Sequence, residues 1–202
     1  MSFAACALLG APARAQTDPA SLPAHDAHQK LLIAVDPWLD ATRYKNFGKK
    51  SPYDEGIVAL DVYFRNDNDS PIRVDLSTIR LVINQDDGEP QRIEPLSPED
   101  VADSVLLTGD ASAGARPRLP SVVPKGGHDK QWTALDGSLR AAALSSDIIP
   151  PHGTVHGCVY FDMAHHFNLL SASQLYVPDL TFMVDNQVLL FFDVDLAPAT
   201  KN

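Results

Sequence analysis

The chain has 202 residues, of which 45% are apolar and 21% are charged, and its formal net charge is −10. A chain of this length can form one domain with its own core, since it buries roughly 70% of the surface that the unfolded chain exposes. The acidity argues against binding to nucleic acids, which depends on Lys and Arg, and against binding to anionic membrane surfaces. The sequence contains no run approaching the ~20 apolar residues of a membrane helix, so no membrane span is predicted.

Residues 1–15 are typical of a signal peptide. The segment is rich in Ala and Leu, and Ala13-Arg14-Ala15 places small residues at the two positions that signal peptidase requires. The positively charged start of such a peptide is missing, which leaves a truncated start open. Cys6 follows a lipobox-like Phe3-Ala4-Ala5, so its lipidation also stays open. We expect an extracytoplasmic protein, periplasmic or secreted, with a mature chain beginning near Gln16.

The next segments predict where the folded body begins. Residues 16–29 are polar and contain prolines, which predicts a flexible N-terminal segment before a single domain at 30–197. Residues 30–35 are apolar and predict the first strand. Residues 57–65 show the clearest period of two, which is the period of a strand with one face in the core. The side chains predicted to face the core are Val58, Leu60, Val62 and Phe64.

Residues 36–55 predict a long irregular segment between these two strands. Four aromatic side chains stand in it among polar residues: Trp38, Tyr44, Phe47 and Tyr53. They could form a partner-binding surface, because aromatic rings give a large contact area. They could equally anchor the segment to the body, which a segment of this length requires to stay ordered, and this is the interpretation that we favour.

The middle of the chain predicts short strands followed by two helices. Alternating patterns indicate strands at 72–77, 78–84 and 91–96, with a hairpin turn at Asp87-Gly88. Ser97 with Pro98 is typical of a helix start, and this helix should end near Leu107. Residues 108–130 predict an exposed loop. The second helix is predicted from the spacing of Trp132, Leu135, Leu139 and Ala142.

The last third of the chain predicts a strand at 154–161 and a terminal hairpin of strands at 180–184 and 188–194. Strands do not alternate regularly with helices, which counts against a parallel α/β sheet. The expected fold is therefore all-β, an antiparallel immunoglobulin-like β-sandwich with one or two short helical insertions.

Several segments carry a family resemblance. They are Phe64-Arg65-Asn66, Ser70-Pro71-Ile72, the strand that reaches Leu81, Pro151-His152-Gly153, and Gly157 followed by Val159-Tyr160-Phe161-Asp162. Together they resemble the exported immunoglobulin-like β-sandwich domains of bacterial lipoproteins and surface antigens, most of which are domains of unknown function. The resemblance implies an extracytoplasmic domain with an adhesive, scaffolding or ligand-holding role. It implies no catalytic residues, and it has no counterpart for residues 108–147.

Residues 152–166 contain the greatest concentration of side chains that can bind metals. His156 and Cys158 are two residues apart on a predicted strand and therefore share a face, and Met163, His165 and His166 follow closely. Imidazole, thiolate and thioether groups suit copper, and imidazole with thiolate suits zinc. No Cys-x-x-Cys or His-Glu-x-x-His spacing supports the site, so ordinary packing of these side chains is the competing interpretation.

No sequence motif indicates catalysis or a cofactor. Cys158 could pair with a histidine as a nucleophile, but the sequence assigns no third, orienting group. Phosphate-loop and nucleophile-elbow patterns do not match. Three hypotheses remain: a non-catalytic domain that binds a protein or envelope component, a periplasmic accessory protein that binds copper or zinc, and a hydrolase with an unrecognised site.

Overall fold

The computed structural model describes residues 18–48, 50–84, 88–107 and 130–201. Within these residues the chain forms eleven strands, two α-helices and six short 3-10 helices. The predicted signal peptide, Asp87 of the predicted hairpin turn and residues 108–129 of the predicted loop lie outside the described residues.

The strands are β1 (Ala24–His28), β2 (Leu31–Pro37), β3 (Ile57–Asn66), β4 (Ile72–Val74), β5 (Arg80–Ile83), β6 (Gln91–Ile93), β7 (Ile148–Ile149), β8 (Gly153–Asp162), β9 (Ser173–Val177), β10 (Leu180–Phe182) and β11 (Phe192–Asp195). The helices are α1 (Pro98–Leu107) and α2 (Lys130–Ala142). The regular elements agree with the sequence pattern most closely at β2, β3 and the two helices, whereas β4 and β6 are shorter than the predicted strands at 72–77 and 91–96.

Every pair of neighbouring strands in the three sheets is antiparallel. The first sheet has the order β1-β2-β3-β8, the second β10-β4-β7, and the third β11-β9-β5-β6. The prediction of a mainly β protein with antiparallel sheets and a few short helices is therefore confirmed.

The main core lies between the first sheet and the other two. Val58, Leu60, Val62 and Phe64 are fully buried in it, as their alternation predicts. Opposing side chains come from β4 and β10 of the second sheet and from β5, β9 and β11 of the third. Burial of these apolar surfaces away from water is the main stabilising contribution to such a core.

The opposite face of the first sheet is also buried, over part of its area, by a helical layer. Side chains of α1, α2 and the 3-10 helix Ala41–Phe47 pack there against Ile57 and Ala59 of β3 and against Cys158 and Tyr160 of β8. β3 is consequently buried on both faces, which explains why nearly all of its residues are shielded from water.

Ser97 caps the start of α1 as predicted, and the structure adds a reciprocal contact from Asp100. Ser97 Oγ accepts a hydrogen bond from the Asp100 backbone N–H at 3.1 Å. The Asp100 carboxylate accepts in return from the Ser97 backbone N–H at 3.3 Å. This exchange satisfies two donors that the first turn of a helix leaves free.

The predicted terminal hairpin is wrong. β10 pairs with β4 in the second sheet, and β11 pairs with β9 in the third sheet. The two segments are still linked near their turn by an isolated bridge between Thr181 and Val188 and by a hydrogen bond from the Leu189 N–H to the Leu180 carbonyl oxygen. A local turn signal shows that the chain reverses, but it does not select the strand that each segment joins.

The prediction of a flexible segment at 16–29 also needs correction. β1 occupies its second half and pairs along its whole length with β2 through a tight turn at Gln29 and Lys30. β1 is an edge strand of the first sheet, and three of its five residues, His25, Asp26 and His28, are polar. That polarity, together with the prolines before it, led to the incorrect expectation.

Candidate functional site

A polar cluster crosses the middle of the first sheet on its helical side. Asp61 of β3 lies opposite Asp36 of β2 on one side and opposite Cys158 of β8 on the other. Asp61 is buried although it is charged. A buried carboxylate requires hydrogen-bond partners to offset the loss of hydration, and neighbouring strands supply them.

Both carboxylate oxygens of Asp61 are in use. Tyr63 donates its hydroxyl hydrogen to Oδ2 at 3.0 Å, and Nδ1 of His156 lies 3.2 Å from Oδ1. The Tyr63 and His156 rings stack almost in parallel, with centroids 4.7 Å apart. Because a carboxylate accepts hydrogen bonds, an N–H at Nδ1 of His156 is the donor in this contact.

Arg43 holds the other carboxylate of the cluster. Its guanidinium makes two hydrogen bonds to Asp36, at 3.0 and 2.8 Å, and lies 4.7 Å above the centre of the Trp38 ring. Burial is the largest single effect on Arg43 and lowers the pKa of its guanidinium, but the hydrogen bonds to Asp36 together with the charges of Asp36 and Asp61 give a net rise. This paired geometry fixes the side chain of Arg43 between a carboxylate and an aromatic face.

Cys158 is poorly suited to act as a nucleophile in this arrangement. Burial raises the pKa of its thiol to about 12, and the charge of Asp61 contributes to the shift. The reactive form of a cysteine is the thiolate, which nearby cations favour and burial disfavours. The hypothesis of a Cys158 nucleophile paired with a histidine therefore gains no support from its surroundings.

The five predicted metal ligands do not meet at one point. Cys158 is buried under the helical layer, whereas Met163 is buried in the main core on the other face of the first sheet. His156, His165 and His166 are exposed, and His156 is already hydrogen-bonded to Asp61. In the described part of the chain, no three His, Cys, Asp or Glu side chains are grouped so that they could hold a metal ion.

The aromatic side chains of residues 36–55 pack inward. Tyr44 is 0% exposed and Phe47 is 6% exposed. The Tyr44 ring lies edge-on to Trp38 at 5.4 Å and within 5.5 Å of Tyr53, between ring centroids. Tyr44 and Phe47 are thus buried and Trp38 and Tyr53 are half-buried, so the contacts of these four described residues match the favoured anchoring interpretation rather than the alternative of a partner-binding surface.

Large exposed apolar side chains occur instead in the segment between β10 and β11. This apolar loop, residues 183–191, exposes four of them: Val184 (74%), Val188 (67%), Leu190 (65%) and Phe191 (52%). Leu189, in the middle of the loop, is buried in the main core. The sequence signal for this exposure was the unbroken apolar run at 188–192. Successive side chains of a strand point to opposite faces, so these residues cannot all face one core.

The apolar loop is held by specific hydrogen bonds. The Leu190 backbone N–H donates to Oε1 of Gln29 at 2.9 Å, and Nε2 of His28 lies 3.2 Å from the Phe191 carbonyl oxygen. The His28 ring stacks on Phe192 at 3.7 Å between centroids. His28, at the end of β1, and Gln29, in the turn after it, thus hold the apolar loop in place.

A second surface feature is a cleft in the helical layer. It has a volume of about 470 Å³ and lies between the 3-10 helix Ala41–Phe47 and the two α-helices. Its lining residues are Asn46, Phe47, Gly48, Lys50, Leu106, Gln131, Ala134, Leu135 and Ser138. No local sequence pattern predicts this helical cleft, because the cleft forms only where three separate elements come together.

Comparison of the chain with protein-family models, with curated proteins and with solved structures finds no match. Among the described residues, no helix has both the length and the apolar character needed to cross a membrane.

Proposed function

We propose that this protein is a non-catalytic, extracytoplasmic domain that binds a protein or another envelope component through the apolar loop. The sequence of residues 1–15 supports export. We also propose that the β-rich body is an immunoglobulin-like sandwich of the kind found in exported bacterial proteins, which the antiparallel sheets around one core support.

The observation that carries this proposal is the exposure of four large apolar side chains within residues 183–191. Single exposed apolar residues are ordinary on protein surfaces, but a group of them is a feature of interaction sites. The loop is also fixed by Gln29 and His28, so its apolar side chains are presented without a large loss of backbone freedom on binding.

Leu190 and Phe191 are suitable residues for testing the proposal. Their side chains are exposed, and the backbone groups that anchor the loop remain after substitution. We expect Leu190→Ser combined with Phe191→Ser to reduce recovery of a specific partner from envelope extract by about tenfold or more, since apolar anchors dominate the free energy of binding. The measurement is quantitative affinity capture with the full chain as bait.

Ile148→Ser is the matched control, because Ile148 is exposed and apolar but lies on β7, outside the apolar loop. It should leave capture within about twofold of the unsubstituted protein, as expected for a residue outside a contact surface. Treating the extract with protease before capture separates a protein partner from another envelope component. Equal recovery with the loop variant and the control, or no recovery above background, would contradict the proposal.

A further inference from the structure

The helical cleft combines an apolar floor with a polar rim. Phe47 and Leu135, both buried, form part of the floor, and Leu106 and Ala134 extend the apolar walls. Asn46, Gln131 and Ser138 supply hydrogen-bonding groups among the lining residues. This is the usual composition of a site for a small molecule: mostly apolar walls with a few polar groups that fix its orientation.

The charge of the cleft is opposite to that of the molecule as a whole. Among the described residues that line the cleft, Lys50 carries a charge and none carries a carboxylate. In the sequence, Lys45 immediately precedes Asn46 of the lining, and Lys130 immediately precedes Gln131. All three lysines are exposed. Asp136, which follows Leu135 of the lining, is paired with Arg140, so in a chain of net charge −10 the lysines leave a local positive charge that favours an anionic ligand.

The size of the cleft favours a single ligand molecule over a protein segment. Its volume of about 470 Å³ lies within the range of about 300–1,000 Å³ that is typical of small-molecule clefts. A helix that docks in a groove needs apolar contacts repeated over several turns, whereas the buried floor here is contributed by two side chains, Phe47 and Leu135.

We infer that the helical cleft binds one monomeric, fatty-acid-like carboxylate, with its alkyl chain against Phe47 and Leu135 and its head group near Lys50. Apolar burial supplies the affinity for the chain. The ammonium group of Lys50 supplies the preference for an anionic head, and this contribution decreases as salt screens the charges. The site is independent of the apolar loop, so either proposal can fail without the other.

Calorimetric titration of the full chain with decanoate, kept below the concentration at which it forms micelles, tests this inference. We expect saturable binding at one site. Decyltrimethylammonium, which has the same chain and a cationic head, should bind about tenfold more weakly because the charge interaction changes sign.

Two variants and two matched controls locate the binding. Ala134→Trp fills the cleft and should weaken decanoate binding by about tenfold or more by excluding the chain. Lys50→Glu should weaken it by about fivefold or more by repelling the carboxylate. Ala141→Trp, at an exposed alanine of α2 outside the lining, and Lys201→Glu, at an exposed lysine elsewhere, should bind as the unsubstituted protein does.

Circular dichroism of each variant separates loss of binding from loss of folding. Absence of saturable binding to the unsubstituted protein would overturn the inference, as would equal affinity for the two head groups or unchanged binding in both Ala134→Trp and Lys50→Glu. Cosedimentation with phosphatidylglycerol vesicles in the absence of decanoate binding would assign the cleft to a bilayer and would also overturn it.

Discussion

At the scale of single residues, Tyr44 joins the helical layer to the first sheet. Its hydroxyl donates to the Trp38 carbonyl oxygen at 2.9 Å and accepts from the Ala59 backbone N–H at 2.9 Å. The backbone N–H of Trp38 in turn donates to the Ala59 carbonyl oxygen. The Tyr44 hydroxyl therefore continues the hydrogen bonding of β3 at the point where β2 ends. Burial raises the pKa of this hydroxyl.

We expect Tyr44→Phe to destabilise the protein by about 1–3 kcal/mol, because it leaves a buried N–H and a buried carbonyl group without this partner. The free energy of unfolding, measured by urea denaturation, checks the prediction. Tyr53→Phe is the control, since Tyr53 packs against the same aromatic group but its hydroxyl has no hydrogen bond among the described residues. Equal stability of the Tyr44→Phe variant and the unsubstituted protein would contradict it.

The polar cluster shows what residue patterns can and cannot predict. The sequence places His156 and Cys158 on one face of a strand, and the structure agrees. The sequence does not show that Asp61 lies opposite Cys158, because that depends on the register between β3 and β8, which are far apart in the chain. The period of two does place Tyr63 on the same face as Asp61, but the pairing of Asp61 with His156 was not predictable from local spacing.

At the scale of elements, the free edge of β8 is covered by two other parts of the chain. The Leu96 N–H donates to the Tyr160 carbonyl oxygen at 2.8 Å, and the Leu144 N–H donates to the Cys158 carbonyl oxygen at 3.0 Å. This covering protects an edge strand from pairing with another chain. It requires Gly157, because a Cβ there would lie 2.5 Å from the backbone of Leu144.

We expect Gly157→Ala to destabilise the protein by roughly 1–3 kcal/mol or more, because the contact is with backbone atoms that must shift. Gly137→Ala is a matched substitution in the middle of α2, where a Cβ meets no atom within 4 Å. It should stabilise the protein by about 0.5–1 kcal/mol through helix propensity. Urea denaturation of both variants gives the comparison, and the prediction fails if the two substitutions shift stability in the same direction.

Elements with a strong internal pattern were predicted well, and elements defined by their partners were not. β3, α1 and α2 carry a clear period or a capping signal, and all three were expected. β1 has polar residues at three of its five positions and shows no apolar alternation, and β10 and β11 join different sheets although a turn separates them. In these cases the decisive information is long-range pairing, which a local pattern does not contain.

At the scale of the whole molecule, the first sheet is the central layer between two apolar clusters. The main core covers one face, and the helical layer covers part of the other. The apolar alternation in residues 57–65 predicts burial only for the face toward the main core. On the opposite face, Asp61 and Tyr63 interrupt the apolar residues. The alternation correctly located the main core, whereas the second buried face depended on helices from elsewhere in the chain.

The layer between the first sheet and the helices contains several weak acids whose protonated forms the fold favours. Burial raises the pKa of Cys158 from 9.0 to about 12. Burial also raises the pKa of Tyr44 and Tyr160 above the ordinary value of 10.0. Below pH 9 these groups are protonated in both the folded and the unfolded chain, so they do not make stability depend on pH.

We therefore expect the protein to lose stability as the pH rises above 9. The unfolded chain then releases protons that the folded chain retains, so it binds fewer protons and ionisation favours unfolding. Ionisation of each such group lowers the free energy of unfolding by about 1.4 kcal/mol for each pH unit between its pKa in the unfolded chain and its pKa in the folded chain. The midpoint of urea unfolding, measured from pH 8 to pH 11, should fall, and it should fall less steeply in Cys158→Ala, which lacks the first group to ionise. A midpoint that is constant over this range would show that these side chains are not held in their protonated forms by the fold.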